Sequence, residues 1–381
     1  MKRTCHILIL LAVLLRLIPG LPVLAQERDE PGDLPVRTDP TDRASRTADS
    51  LHLVEFYAEA RKNLETGQPY QALNKLGEAL QLAMQLKMER TESGLLELIG
   101  DVYVSTDNPV EAIPYYLRVA SMLEFAGDSA GLRDIYRKTG EGYSAAEVHI
   151  KAREYYLKAL QLPQGNDAGE RTDLTEKLGT AALRSGNPGE AVKYFLLYGE
   201  MLQEQGKEQA PAWTYVVNAY REAGNYEGCL EYSGMLLKHY LEKVDELKTA
   251  LLYNNMGYYC SELGRYPEAL EHYTRAVEHA EKAGLPEGRI AVMKANRGVC
   301  YQNMNEPGHA KDHLNRALDG LRNTDDYGER SRIENIQALI YFNENDLYNA
   351  GTFCRGAISS AEKAEDDRLL ADAYRSEVPA S

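Results

Sequence analysis

A small residue that recurs about every 40 positions constrains the fold of this 381-residue chain more than any other feature. Steps of 40, 40, 39, 38, 40, 41 and 40 residues separate Ala72, Ala112, Ala152, Ala191, Cys229, Ala269, Ala310 and Ala350. Twelve residues before each stands a second, mostly small residue, namely Ala60, Gly100, Gly140, Gly179, Val217, Gly257, Gly298 and Ala338. Two such columns in register predict eight copies of one supersecondary unit, each of which buries its apolar face against its neighbours.

Residues 250–283 show the unit most clearly. Apolar and small residues recur there at the i, i+3, i+4, i+7 spacing of a helix face, in two runs: Tyr253, Met256, Gly257 and Cys260, then Ala269, Leu270, Tyr273, Ala276 and Val277. The dipeptide Gly264-Arg265 separates the two runs. This spacing predicts two amphipathic helices joined by a tight turn, with small residues where the helices approach and tyrosines filling the space between turns.

The pattern resembles the tetratricopeptide repeat, a helix–turn–helix unit. On the family consensus, Tyr253 takes position 4, Gly257 position 8, Ala269 position 20 and Tyr273 position 24. Position 11 is aromatic in five repeats, at Tyr103, Tyr143, Tyr220, Tyr301 and Tyr341, and Trp213 takes position 4 of the fifth. The resemblance implies an all-α superhelical solenoid of eight repeats over residues 51–365.

Three features depart from the consensus or extend it. The step is near 40 residues rather than 34, which predicts lengthened helices. The third repeat has Glu147-Val148-His149 where a glycine turn is expected. Residues 366–381 contain Leu369, Leu370, Ala373 and Tyr374 at helical spacing, and this segment is either a partial ninth repeat or a capping helix.

The first 25 residues have the order of a secretory signal peptide. Lys2 and Arg3 precede an unbroken apolar run over residues 7–15, and Val23-Leu24-Ala25 ends in small residues. Arg16, Pro19 and Pro22 interrupt the span that an uncleaved membrane anchor would need. We therefore expect cleavage near Ala25, export to the periplasm or beyond, and no membrane span in the mature chain. Residues 26–50 are rich in Asp, Arg, Pro and Ser and predict a disordered linker.

The charge balance bears on the partners. The chain has a formal net charge of −15, and residues 1–25 hold three basic residues and no acidic one, so cleavage would leave −18. An acidic surface disfavours nucleic acid and anionic membranes, so we expect a protein or peptide ligand and no nucleic acid.

No motif predicts catalysis, a cofactor or a metal. Cys229, Cys260, Cys300 and Cys354 match no metal or redox spacing and fall near apolar helix faces, which predicts four free, packed thiols. His309 and His313 are one helical turn apart, but neither an H-E-x-x-H motif nor a third ligand accompanies them. We interpret them as solvent-exposed, and we expect no enzyme activity.

The resemblance places ligands on the concave face, at consensus positions 2, 5, 9, 12 and 13 of each first helix. In repeats two to four these positions are mainly acidic: Glu97, Asp101, Asp134, Glu141, Asp173 and Glu176, against Arg137 and Arg184. In repeats five to eight they are rich in amides and aromatics: Asn218, Arg221, Asn254, Tyr258, Gln302, Asn303, Asn335, Phe342 and Asn343. Amides donate and accept hydrogen bonds and so suit a peptide backbone, which makes these nine residues the predicted peptide-binding groove.

The resemblance also bears on whether the groove binds a carboxylate and on the function of the chain. Asn218 and Asn255 match two asparagines of the family's carboxylate clamp, but Thr214, Val292 and Asn296 stand where its basic residues would be, so a carboxylate would be poorly paired. We predict a non-enzymatic protein-interaction scaffold. The alternative is the extracytoplasmic sensor region of a bacterial signal-transduction protein, such as a histidine kinase, of which this chain would be a fragment.

Overall fold

The computed structural model describes residues 40–163 and 168–375. Within these ranges the chain forms seventeen helices and no strand. The helices are α1 (Pro40–Glu65), α2 (Pro69–Gln85), α3 (Glu89–Ser105), α4 (Pro109–Ala126), α5 (Ser129–Ala145), α6 (His149–Gln161), α7 (Ala168–Arg184), α8 (Pro188–Glu204), α9 (Ala210–Glu222), α10 (Tyr226–Glu242), α11 (Glu246–Glu262), α12 (Tyr266–Lys282), α13 (Glu287–Asn303), α14 (Pro307–Gly320), α15 (Tyr327–Asn343), α16 (Leu347–Ala364) and α17 (Asp367–Arg375). The predicted all-α repeat fold is confirmed.

The chain divides into two compact units. Unit 1 ends at Asn187 and contains α1 to α7; unit 2 begins at Pro188 and contains α8 to α17. Consecutive helices pair as antiparallel hairpins within each unit, α1 with α2, α3 with α4 and α5 with α6 in unit 1, and the four pairs from α9/α10 to α15/α16 in unit 2. The helices of the fourth predicted repeat, α7 and α8, belong to different units.

The two small-residue columns lie in the cores of these hairpins. All eight residues of the position-20 column are fully buried. A methyl group built on Gly257 would lie 2.7 Å from the ring of Tyr273, and one on Gly140 would lie 2.6 Å from the ring of Tyr156. Glycine at position 8 therefore lets the tyrosine at position 24 of the second helix cross directly over the first helix, as the sequence predicted.

The position-11 aromatics join the helices of each hairpin. Tyr103 stacks on Tyr115, Tyr143 on Tyr155 and Tyr341 on Phe353, with ring centroids 5.5–5.6 Å apart. Aromatic pairs at this separation add to the stability that buried area provides. Each partner ring stands twelve residues after the position-11 residue, a second aromatic column that the sequence analysis missed although its spacing is constant.

The turn within each hairpin has one residue in the left-handed conformation. These residues are Gly67, Asp107, Glu147, Gly224, Gly264, Asn305 and Asn345. The predicted turn at Gly264-Arg265 is confirmed, with φ +72° at Gly264. The third repeat, whose turn the sequence left uncertain, adopts the same geometry with Glu147 at φ +60°.

Replacing Glu147 with glycine is expected to raise the free energy of unfolding by about 0.5–1 kcal/mol. A non-glycine residue in the left-handed region costs about 1–2 kcal/mol, from which the extra freedom of glycine in the unfolded chain subtracts about 0.5–1 kcal/mol. The midpoint of urea unfolding measures the change. Gly264→Ala is the reciprocal control and should lower that midpoint; a lower midpoint for Glu147→Gly would contradict the expectation.

The first helix extends beyond the predicted N-terminal end of the repeat array. Helix α1 begins at Pro40, so the predicted boundary at residue 50 falls inside a helix rather than at the end of a linker. Proline suits the first turn of a helix, and extending an existing helix needs no new nucleus, which explains why this polar stretch is helical. The predicted signal peptide, residues 26–39 of the predicted linker and residues 376–381 lie outside the described residues.

Helix α17 contacts both α15 and α16, as the first helix of a further repeat would. Its Ala373 is fully buried, and the carbonyl oxygen of this residue lies 3.5 Å from Sγ of Cys354. The helix therefore covers the end of the last hairpin. Among the helices described, none combines the length and the apolar character needed to cross a membrane.

Candidate binding groove

The predicted groove residues of repeats five to eight lie on the first helices α9, α11, α13 and α15. Helix α11 contacts α13, and α13 contacts α15, so these first helices are neighbours although a second helix separates them in sequence. The exposed members of the set are Asn218, Arg221, Tyr258, Asn303, Phe342 and Asn343. The half-buried members are Asn254, Gln302 and Asn335.

Two of the predicted residues are already bonded within the protein. The carbonyl oxygen of Asn254 accepts a hydrogen bond from the side-chain amide of Asn296 at 2.9 Å, which links α11 to α13. Arg221 donates to the adjacent Glu222 at 3.0 Å. The Asn254 bond orients its amide, but one of the hydrogen-bonding groups that the sequence assigned to a ligand is thereby taken.

Asn335 and Gln337 of α15 each have a buried side-chain carbonyl oxygen that accepts no hydrogen bond from any described residue. A buried acceptor without a donor is costly. Gln337, two residues further along α15, is fully buried and donates to Asn315 of α14 at 2.7 Å. Helix α15 thus has polar side chains both at its exposed end and in the core.

The sequence analysis missed part of the apolar surface of these helices. Leu251 and Leu339 are exposed, at positions 2 and 9 of their repeats. They add to Tyr258 and Phe342, which the sequence identified. The same position count would have found both leucines, since positions 2 and 9 belong to the set that predicted the groove.

On the corresponding surface of unit 1, for which the sequence predicted an acidic groove, the structure places lysines beside several of the carboxylates. Lys138 of α5 donates to Glu97 at 2.5 Å and to Asp101 at 2.9 Å, both on α3. Lys177 of α7 lies 3.5 Å from Glu141 of α5 and 2.9 Å from Asp173. We call these residues, with Asp134 and Arg137 between them on α5, the ion-pair ladder.

Lys138 and Lys177 both stand at position 6, which the concave set of positions omits, so the sequence analysis did not anticipate these ion pairs. Arg137 also bonds Asp134 and Glu141, so the carboxylates of the ladder face cations from the same or the next first helix. Burial lowers the pKa of Lys138, but Asp101 and Glu97 outweigh it and hold that pKa above its ordinary value. The ladder cross-links α3, α5 and α7, and its five carboxylates outnumber its three cations, so this surface keeps a net negative charge.

Cys229, Cys260, Cys300 and Cys354 are free and buried, as predicted. Burial raises the pKa of the Cys229 and Cys260 thiols to about 11, and it also raises the pKa of Cys300. Because the thiolate is the reactive form, these side chains act as small apolar residues. Within the described ranges, no three His, Cys, Asp or Glu side chains are grouped to hold a metal ion.

Several histidines of unit 2 pack against first-helix tyrosines. His279 stacks on Tyr253 at 5.4 Å between ring centroids, and His313 stacks on Tyr301 at 5.2 Å. His309 is exposed, as predicted, but His313 is half-buried by this stacking, so its predicted exposure is wrong. Position 23 faces the position-11 ring in every hairpin that has one, which is why one histidine is covered and its neighbour is not.

Acidification is expected to destabilise unit 2 as the pH falls below about 6.5. Burial lowers the pKa of His272 and of His313 below 6.5, so the unfolded chain binds protons first and stability is lost as the pH falls through this window. Above the window both histidines are neutral in either state. Urea midpoints from pH 7.5 to 5.5 measure the effect, and His272→Gln with His313→Gln should flatten the profile; an unchanged slope in that variant would contradict the assignment.

A family model described as "Tetratricopeptide repeat" matches residues 208–282 and 248–323, which include all of α9 to α14. Among curated proteins, no sequence matches the chain. The matched range contains six of the nine predicted groove residues.

Three solved structures illustrate the resemblance. The C-terminal part of a TPR repeat-containing protein from Cytophaga hutchinsonii is 12% identical with a TM-score of 0.49, over 72% of this chain and 97% of that one. A tetratricopeptide repeat protein from Parabacteroides merdae is 16% identical with a TM-score of 0.42, over 79% and 99%. A signal-transduction ATPase with a tetratricopeptide repeat sensor from Pyrococcus horikoshii is 13% identical with a TM-score of 0.48, over 81% and 51%. Similarity at this level carries no argument about function.

Proposed function

Because this chain is a tetratricopeptide-repeat protein, we propose that it is a non-enzymatic scaffold that binds a peptide or protein segment along α9, α11, α13 and α15. The observation that supports this most is the surface at the ends of α13 and α15. Asn303 is exposed at the end of α13, Phe342 and Asn343 are exposed at the end of α15, and the buried acceptor of Asn335 lies on α15.

The chemistry of this surface suits a peptide rather than a small ion. The side chains of Gln302, Asn303 and Asn343 both donate and accept, as a peptide backbone requires. Phe342 provides an apolar contact beside them, and aromatic side chains dominate many interfaces. The carboxylates of the ladder already bond Arg137, Lys138 or Lys177 within unit 1, so we assign the ligand to unit 2.

We further propose that the protein is exported, because the order of charge, apolar residues and small residues over residues 1–25 is that of a cleaved leader. Its ligand is then a component of the cell envelope or of the medium. A scaffold of this kind needs neither catalytic residues nor a cofactor.

Affinity capture with residues 26–381 against envelope extract, followed by mass spectrometry, would identify the ligand. Phe342→Ala with Asn343→Ala is expected to weaken binding of the captured protein by about tenfold or more, since a buried aromatic contact contributes about 1.5–3 kcal/mol. Tyr348→Ala is a matched control, because Tyr348 is more exposed than Phe342 but lies on the second helix α16.

If the double variant and the original protein bind the captured protein with equal affinity, the groove assignment is wrong. Recovery of no specific protein by a folded chain would favour the alternative, a sensor region whose partner is another part of a longer protein. Circular dichroism at 222 nm confirms that each variant retains its helix content.

A further inference from the structure

One position of the first helices, position 7, belongs to the core from the second repeat onwards. The residues that take it in six of these seven repeats are all buried: Ile99, Thr139, Leu178, Val216, Met256 and Gln337. In the seventh repeat the position holds Arg297, which is half-buried and is the only cationic residue at position 7 in the eight repeats. A core position thus carries a permanent positive charge.

The eighth repeat shows where a position-7 side chain points. The side-chain nitrogen of Gln337 on α15 donates to Asn315 at 2.7 Å, and Asn315 lies on α14, the second helix of the preceding repeat. Position 7 therefore faces the interface between consecutive repeats. By the same register Arg297 faces α12, which packs against α13. The residue of α12 that corresponds to Asn315 is Thr274, whose hydroxyl donates to the carbonyl oxygen of Leu270 at 2.7 Å.

The guanidinium of Arg297 has no partner among the described residues. Its Nε is buried and donates no hydrogen bond. The cations near it in sequence are paired, Lys294 with Glu287 at 3.1 Å and Arg316 with Asp312 at 3.0 Å. A buried N–H group without an acceptor is costly, and an uncompensated charge costs more. Arginine at this position therefore opposes the stability of the repeat interface.

The surroundings of Arg297 are positive, although the chain as a whole has a formal net charge of −15. Burial lowers the pKa of His313 on α14, and the charge of Arg297 lowers it further. Arg316 and His309 act in the same direction, whereas Asp312 is the one carboxylate that opposes them. The cationic groups near His313 thus outnumber the acidic ones.

We infer that Arg297 anchors an oxyanion-binding site between the sixth and seventh repeats, which takes a carboxylate or a phosphate group. A guanidinium has five N–H donors in a plane that matches the oxygens of both groups, and such charge-assisted bonds are stronger than neutral ones. The side chain is half-buried rather than sealed, so an anion can reach its terminal nitrogens. Replacing a buried charge by an apolar residue is often stabilising, so packing does not account for arginine here.

This site goes beyond the proposed function and does not depend on it. Position 7 faces the preceding repeat, whereas the nine groove residues stand at other positions of the first helices. The oxyanion is either an acidic group of the protein ligand or a free anion, and both present the same oxygens to Arg297.

The test measures the urea unfolding midpoint of the purified protein while sodium phosphate or sodium acetate replaces sodium chloride at constant ionic strength. Binding to the folded state raises the midpoint with anion concentration, and this dependence gives the Kd. Phosphate also stabilises folded proteins by exclusion from their surface, so the measure is the difference between variant and original. Arg297→Met, with the residue that the sixth repeat has at position 7, should weaken anion binding by about tenfold or more.

Two further variants separate anion binding from folding. Arg297→Gln introduces the residue that the eighth repeat has at position 7, and it should lose the response as Arg297→Met does. Arg332→Met is the matched control, because Arg332 lies on the first helix α15, is exposed and pairs with Glu329 at 3.0 Å. It should respond to both anions as the original does. In sodium chloride alone Arg297→Met should raise the midpoint, a gain that damage to the fold cannot produce.

A response to either anion that both Arg297 variants lose would support the inference. No response of the original protein, or an equal response in Arg297→Met, would overturn it. The affinity of Arg297→Met for the captured protein then distinguishes the sources: weaker binding assigns the oxyanion to an acidic group of that protein, and unchanged binding assigns it to a free anion. Phe342→Ala with Asn343→Ala should retain the response, so failure of the groove assignment leaves the anion site standing.

Discussion

Replacing Lys138 with methionine is expected to lower the free energy of unfolding of unit 1 by about 3 kcal/mol. Its side chain is 16% exposed and lies between Glu97 and Asp101 of α3. Methionine preserves most of the volume but leaves two carboxylates without their cation, and removing one partner from a largely buried pair costs about 3–5 kcal/mol. Chemical unfolding monitored by circular dichroism measures the loss.

Lys151→Met is the matched control, because its bond to Glu154 lies at the surface with both side chains at least 40% exposed. Exposed pairs contribute about 0–1 kcal/mol, so this variant should unfold nearly as the original does. Adding Glu97→Gln and Asp101→Asn to Lys138→Met should restore part of the loss, since neutral amides tolerate the missing cation. Similar midpoints for Lys138→Met and Lys151→Met would show that the ladder contributes little.

The ladder also predicts the response of unit 1 to alkali. The folded-state pKa of Lys138 is raised, so its contribution to stability is fully present below the ordinary lysine pKa and is lost as the pH rises through the higher folded value. We therefore expect Lys138→Met to remove part of the alkaline loss of stability.

Replacing Gly257 with alanine is expected to destabilise unit 2 by about 1–3 kcal/mol, the usual cost of forcing a methyl group into a filled core. The new methyl carbon would lie 2.7 Å from the ring of Tyr273, which is itself buried. The ring cannot move aside without separating α11 from α12. The midpoint of urea unfolding again provides the measurement.

Gly234→Ala distinguishes this steric effect from the general helix preference for alanine. Gly234 lies within α10 with open space around its Cα, so alanine there should stabilise the helix by about 0.5–1 kcal/mol. The two Gly→Ala substitutions, in neighbouring helices, are thus expected to change the free energy of unfolding in opposite directions. A stabilised Gly257→Ala variant would mean that the two helices can part more easily than the packing indicates.

Periodicity was sufficient to predict the hairpins because it encodes local contacts. The Ala and Gly columns mark where helices adjacent in sequence touch. Contacts of this kind recur in each repeat. Cys229 and Val217 fit the same columns although neither is the family's usual residue, since burial and approximate volume matter there more than identity.

The candidate site was only partly predictable, because its details depend on contacts between repeats. The bond from Asn296 to Asn254 and the pairing of Lys138 with Glu97 and Asp101 each join residues about 40 positions apart. Both donors, Asn296 and Lys138, stand at position 6 of their repeats, which was not counted as part of the concave face. A list of concave positions therefore identifies candidate residues, but it does not show which of their side chains are already bonded within the protein.

The sequence by itself determined the helices, their pairing and the buried columns, because these follow from spacing along a helix and from small residues at fixed intervals. Only the tertiary structure decided which polar side chains are bonded to one another and which remain exposed. These properties depend on which side chains of different repeats come within bonding distance, and no period along the chain records that distance.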